Sequence, residues 1–149
     1  MLCTTGERSR KLSTGRIIEG SEISSDVKES AEVCVIGSGA GGAVVAKELS
    51  ERGHSVVLVE EGGRWSKENY PKDYLQVFFK MYRDAGATVC LGRPPIPMPI
   101  GRALGGTTKV NSGTCFRTPD KILRRWGREF GLEGIEPEQM RPYFERVEK

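Results

Sequence analysis

Apolar residues are spaced in different rhythms along the chain. In "VCVIG", Val33 to Gly37, four apolar residues stand in a row before a glycine. A run without polar alternation predicts a strand covered on both faces, as in a parallel sheet. Cys34 within it reads as a small buried hydrophobe. From Ala43 to Arg52 the rhythm becomes helical. Val45, Ala46 and Leu49 share one face, while Lys47, Glu48 and Glu51 point elsewhere. Gly53 is a natural stop, because it tolerates the left-handed backbone that ends many helices. "SVVLVE", Ser55 to Glu60, then predicts a second buried strand. Strand, helix and strand within about 28 residues make a minimal parallel crossover.

Elsewhere the pattern is looser. Residues 1–30 are polar with mixed charge and predict an arm, with "GRIIEG" (Gly15 to Gly20) as one short strand. "RWSKENYPKDY" reads as loop, Tyr74 to Arg83 as a short helix and "ATVCLG" as a strand. "RPPIPMPIG" is extended. Its P-x-x-P spacing would suit a proline-reading partner, but a stiff edge segment is the preferred reading. Asp120 to Phe130 predicts a helix with Ile122, Leu123, Trp126 and Phe130 on one face. Lys121, Arg124, Arg125 and Arg128 fall on another face, read as solvated. Pro137 stands where a last helix would start.

The 149 residues suit one domain of ordinary size. A formal charge of +3, with both signs interspersed, gives no electrostatic case for nucleic acid or a membrane surface. No apolar run approaches the roughly 20 residues a bilayer requires, and the N-terminus is not a secretory signal. Cys3, Cys34, Cys90 and Cys115 form no C-x-x-C, and there is one histidine, so no metal site is expected. Free thiols point to a reducing compartment, with a cytoplasmic location the expectation.

Chemistry concentrates in two glycine clusters. Gly37, Gly39 and Gly42 stand in G-x-G-x-x-G spacing. The bare pattern is weak. Its setting strengthens it: the glycines follow a buried strand, open a helix, and an acidic residue closes the next strand. Gly37 permits the tight turn, Gly39 lets the backbone approach a pyrophosphate, and Gly42 lets the helix pack on the sheet. The first N–H groups of the helix are unpaired and favour an anion. Glu60, 23 residues after Gly37, is placed to accept ribose hydroxyls and disfavours a 2′-phosphate, hence NADP. The fingerprint alone does not separate NAD from FAD. The glycines of "EEGG" permit a second turn beside the adenosine. "GRALGGTTKVNSGT", Gly101 to Thr114, repeats the logic: Gly105 and Gly106 permit close approach, Thr107 or Thr108 can cap a helix, and Arg102 can pair with phosphate. Two clusters suggest a long ligand gripped at more than one point, which suits FAD.

These pieces, with "WGREFGLEGIEPEQMRPYFERVEK", resemble the N-terminal part of the glucose–methanol–choline (GMC) family of FAD-dependent oxidoreductases. The resemblance runs from about Ala31 to the end, with divergent sequence between Gly63 and Gly101. It implies an α/β, Rossmann-like FAD/NAD(P)-binding fold, incomplete here as the N-terminal part of a larger two-domain flavoprotein. The polar arm would span 1–30 and the FAD-binding portion 31–149. That portion would hold the crossover at 33–60, the second cofactor segment at 101–114 and C-terminal helices at 120–149. The implied cofactor residues are Gly37, Ser38, Gly39, Ala40, Gly41 and Gly42 at the pyrophosphate, and Glu60, Glu61 and Gly62 at the ribose. Arg102, Gly105, Gly106 and Thr107 would run along the cofactor, and Asn111, Ser112, Gly113 and Thr114 toward the flavin. Some members of the family bond the flavin to a histidine just before the asparagine. Val110 stands there, so non-covalent FAD is expected.

The chemistry implied is oxidation of CH–OH groups by hydride transfer to flavin, with a histidine taking the hydroxyl proton. The family's late catalytic histidine has no match here. His54 falls in the turn between helix and second strand, a surface position, so no catalytic residue is expected on this chain. The expected partners are an alcohol substrate in the complete protein and a complementary C-terminal half or subunit. The alternative is a non-catalytic NAD-binding module or assembly partner.

Overall fold

The computed structural model describes residues 2–4 and 15–148. The chain falls into two compact units, Met1–Asn111 and Ser112–Lys149. The first is α/β and Rossmann-like. Strands β1 (Leu2–Thr4), β2 (Arg16–Ile18), β3 (Val33–Ile36) and β4 (Val56–Val59) form one sheet in the order β2-β1-β4-β3. β3 and β4 are parallel, Val33 facing Val56 and Ile36 facing Val59. β1 runs antiparallel to β4 on its other side, and β2 antiparallel to β1. The short strand within Gly15–Gly20 is present. The strand at Leu2–Thr4 has no counterpart in the apolar pattern, since it depends on pairing with β4. The rest of the polar arm before Gly15 lies outside the described residues.

Helix α1 (Ala40–Glu51) connects β3 to β4. It begins three residues before the apolar face suggests, because extended Gly39 (φ −63, ψ −174) supplies its N-terminal boundary. Ala46 and Leu49 pack on Val35, Val56 and Leu58, with Val33 beside them. Val45 is 48% exposed and lies off this face, contrary to the expected helical stripe. β3 also departs from expectation. Val35 is buried, but Cys34 is exposed and Ile36 is 88% exposed. Apolar packing covers one face of β3, so the strand alternates. β4 buries Val56, Val57 and Leu58 in succession.

Helix α2 (Tyr74–Met81) is capped by the Asp73 carboxylate, which accepts from the Leu75 N–H. Tyr74, Phe78 and Tyr82 follow one another at four-residue spacing with ring centroids 4.9 and 4.8 Å apart. Met81 ends the helix fully buried. β5 (Val89–Cys90) and β6 (Ile96–Pro97) form a separate antiparallel pair, with the proline-rich segment exposed at its edge.

The second unit contains α3 (Asp120–Phe130) and α4 (Pro137–Val147). Gly131 ends α3 in the left-handed conformation (φ 63). Leu123 is buried, whereas Trp126 and Phe130 are exposed, so the apolar face of this helix is only partly covered. Arg124 lies 3.5 Å from Glu136 and 3.2 Å from Glu138, and Arg125 lies 2.8 Å from Glu129. These exposed pairs place the basic residues on a solvated face. Among the described residues no helix is long and apolar enough to cross a membrane.

Candidate functional site: two glycine clusters on one surface

β3 ends at Ile36, and Gly37 turns the chain with φ +88, a conformation L side chains rarely adopt. The Gly37 N–H donates to the Val59 carbonyl at 2.7 Å, so the turn is tied to the end of β4. Gly39 bounds α1, and the first helical bond runs from Ala43 N–H to its carbonyl at 2.9 Å. The N–H groups of Ala40, Gly41 and Gly42 precede that bond and have no intrahelical acceptor. A Cβ on Gly42 would stand 2.0 Å from the Gly37 carbonyl oxygen, so the glycine is required by packing. Cβ atoms on Gly39 or Gly41 would meet nothing within 4 Å. The fold makes no steric demand for glycine at those two positions. Open space in front of bare backbone at a helix N-terminus is the form a pyrophosphate cradle requires.

Glu60 follows β4 and is 6% exposed. Its Oε2 accepts from the Ser38 N–H at 2.8 Å and the Ser38 hydroxyl at 2.6 Å, and its Oε1 from the Gly62 N–H at 2.8 Å. Burial pushes this carboxyl up. The Ser38 hydroxyl and the N–H groups of Gly62, Ser38 and Glu61 outweigh burial and hold it below the ordinary glutamate value. Glu61 is exposed and paired with Arg83.

The second cluster lies against the first. Gly105 donates its N–H to the Ser38 hydroxyl at 2.8 Å. A Cβ on Gly106 would come within 2.8 Å of the Gly39 Cα. Gly63 and Ala103 form a parallel bridge, and the Leu104 N–H donates to the Gly63 carbonyl at 2.9 Å. A Cβ on Gly62 would lie 2.2 Å from the Ala103 nitrogen. The glycines of "EEGG" thus admit the second cluster beside the first, a packing role the spacing did not reveal. Thr107 and Thr108 do not cap an α-helix. A 3-10 turn, Gly106–Lys109, follows without a side-chain cap. Thr107 Oγ1 instead accepts from the Gly101 N–H at 3.1 Å, and Thr108 donates to the Gly105 carbonyl. The Arg102 side chain is exposed. Its N–H donates to the Met81 carbonyl at 2.7 Å, which fastens the segment to α2. Asn111 donates to the Thr108 carbonyl.

Ser112, Gly113 and Thr114 open the second unit; all three are exposed, and the Ser112 hydroxyl lies 3.4 Å from that of Thr114. Sequence reasoning missed Ala103, fully buried where the clusters meet, and Tyr82, which bridges Gly101 and donates to the Val110 carbonyl at 3.2 Å. The small residue between Arg102 and Leu104, amid glycines, was the available signal for Ala103. His54 precedes β4, exposed, with Nδ1 3.7 Å from Glu32 Oε1. It therefore lies at the opposite end of the β3–β4 pair from Ser38 and Glu60. Among the described residues no group of three or more His, Cys, Asp or Glu is placed to hold a metal ion.

Residues 35–87 match an NAD(P)-binding Rossmann-like domain, and residues 78–149 match the family GMC oxidoreductase. An uncharacterized GMC-type oxidoreductase of Mycobacterium tuberculosis is 51% identical over 111 residues, covering 74% of this chain and 18% of the relative. Another, from Sinorhizobium fredii, is 34% identical over 87% of this chain and 26% of the relative. A long-chain-alcohol oxidase of Arabidopsis thaliana is 30% identical over 64% of this chain and 13% of the relative. The chain thus spans a quarter or less of the length of most of these relatives. The glycine loop, the acidic strand end and the second glycine segment are tied together here through Ser38, and this chain belongs to the GMC oxidoreductase family, in its N-terminal part.

Proposed function

We propose that this chain is the FAD-gripping portion of a flavin oxidoreductase acting on CH–OH groups of an alcohol donor. The observation that carries this is the meeting of the two clusters, Gly106 against Gly39 and Gly105 on Ser38, beside backbone that the fold leaves open. FAD, when bound, supplies the hydride acceptor. The chain's own part is binding. Gly37 through Gly42 take the pyrophosphate, with the unpaired N–H groups of α1 as donors. Glu60 takes the adenosine ribose, with Glu61 and Gly62 beside it. Arg102, Gly105, Gly106 and Thr107 run along the cofactor, and Asn111 stands toward its flavin end. Val110 stands where a covalent histidine link would form, so the flavin is held non-covalently. The base that takes the hydroxyl proton comes from outside these 149 residues, since His54 lies at the far end of the strand pair. A complementary C-terminal portion or subunit and a cytoplasmic location complete this reading.

A second reading, a non-catalytic NAD-binding module, is favoured by the match of residues 35–87 to an NAD(P)-binding domain. Titration of the purified chain with FAD and with NAD, followed by calorimetry, separates the two. Weak FAD binding in preference to NAD is expected, with all yellow colour released on acid precipitation. Tight NAD binding without FAD retention selects the second reading. Flavin left in the acid pellet refutes non-covalent binding, and turnover of an alcohol by this chain alone refutes the external base.

A further inference from the structure

Ser38 occupies a variable position of the glycine fingerprint, which by itself asks nothing of that side chain. Yet Ser38 is 3% exposed and lies at the centre of the contact between the clusters. Its hydroxyl has one proton and two acceptor sites. The proton goes to Glu60 Oε2 at 2.6 Å, and one acceptor site takes the Gly105 N–H at 2.8 Å. Its own N–H adds a second bond to Glu60 Oε2. Through Glu60 Oε1 the same network reaches the Gly62 N–H. One hydroxyl and one carboxylate therefore join the glycine loop, the end of β4, the turn after it and a segment 67 residues downstream. They do so where backbone meets backbone, beside the Gly106–Gly39 and Gly62–Ala103 approaches.

We propose that Ser38 is a positioning residue: its hydroxyl, held between the Glu60 carboxylate and the Gly105 N–H, locks the second glycine segment onto the first so that both face one cofactor. The role depends on the FAD reading given above. Alanine at 38 removes the donor to Glu60 and the acceptor for Gly105 without opening a large void. The two segments then lose their register, and Glu60 loses a bond that both orients it and favours its ionised form. Threonine keeps the hydroxyl.

The test has a cofactor-free arm and a cofactor arm, both on the 149-residue chain. Without cofactor, NMR follows exchange of the Gly105 amide and titration of the Glu60 carboxyl. In Ser38→Ala the amide should exchange faster and Glu60 should titrate higher, while Ser38→Thr should resemble the parent. With cofactor, FAD affinity of Ser38→Ala should fall about tenfold or more, the scale of a lost hydrogen bond to a charged group. The pH below which affinity declines should move upward, a change that loss of packing alone would not produce. Should Ser38→Ala fail to fold, Ser38→Cys, with a weaker donor, replaces it under the same criteria. Unchanged Gly105 exchange and an unchanged Glu60 titration overturn the clasp itself. A changed clasp with undiminished FAD affinity overturns its positioning role. A parent chain that shows the clasp but binds no FAD overturns the FAD reading instead.

Discussion

At the scale of single residues, the glycines of the fingerprint answer to different demands. A Cβ at Gly42 meets the Gly37 carbonyl oxygen at 2.0 Å and Val35 Cγ1 at 3.3 Å, whereas one at Gly39 meets nothing within 4 Å. Gly39 also has φ −63, which any L residue can adopt. Gly42→Ala should therefore destabilise the fold by about 1–3 kcal/mol or more, the range of overpacked sites. Gly39→Ala should stay within about 0.5 kcal/mol of the parent in stability and yet lose FAD affinity. Urea unfolding and FAD titration of both variants check this. A Gly39→Ala chain that binds FAD like the parent would show that no ligand approaches that backbone. The fingerprint made all three glycines legible as a set. It also gave Gly42 to helix packing and Gly39 to ligand approach, but how tightly Gly42 is confined depends on atoms brought near by folding.

At the scale of elements, the β3–β4 pair is pinned at both ends by a serine and a glutamate. Ser38 and Glu60 hold the site end. At the other end Glu32 Oε2 accepts from the Ser55 N–H at 2.9 Å and its hydroxyl at 3.2 Å, while the Glu32 N–H donates to that hydroxyl at 2.9 Å. Both carboxyls lie below the ordinary value, Glu32 through the Ser55 N–H first and then its hydroxyl. A depressed carboxylate contributes stability above the ordinary glutamate pKa of about 4.3 and loses it as pH falls through the depressed value. Glu60→Gln should cost about 1–3 kcal/mol at pH 7. Its deficit against the parent should shrink as pH falls below about 4.3. Denaturant midpoints of the two chains across acid pH check it, and a constant deficit to the lowest folded pH would sink it. β3, β4 and α1 were legible from apolar runs and helical spacing. The exposure of Cys34 and Ile36 was not, because a run of four apolar residues does not say how many faces are covered.

For the molecule as a whole, the first unit carries much uncovered apolar surface. Ile36 is 88%, Leu91 91%, Tyr74 73% and Phe79 71% exposed. β3 is an edge strand, with one side unpaired among the described residues. Exposed apolar edges promote association. The purified chain should self-associate with rising concentration. Ile36→Lys should weaken that association by about tenfold, consistent with roughly 1.5–3 kcal/mol for burying one such side chain. Sedimentation equilibrium reads both, and a chain monomeric at all concentrations refutes the expectation. The sequence by itself determined the parallel crossover, the glycine turn, the acidic strand end and the family, since these rest on local spacing and on residue types with few substitutes. Only the tertiary structure decided that "GRALGG" lies on "GSGAGG", and that Ser38 rather than a glycine joins them. A hydrogen bond across 67 residues leaves no periodicity in the chain, and the resemblance that marked Ser38 as a cofactor residue does not reveal the partners its hydroxyl joins.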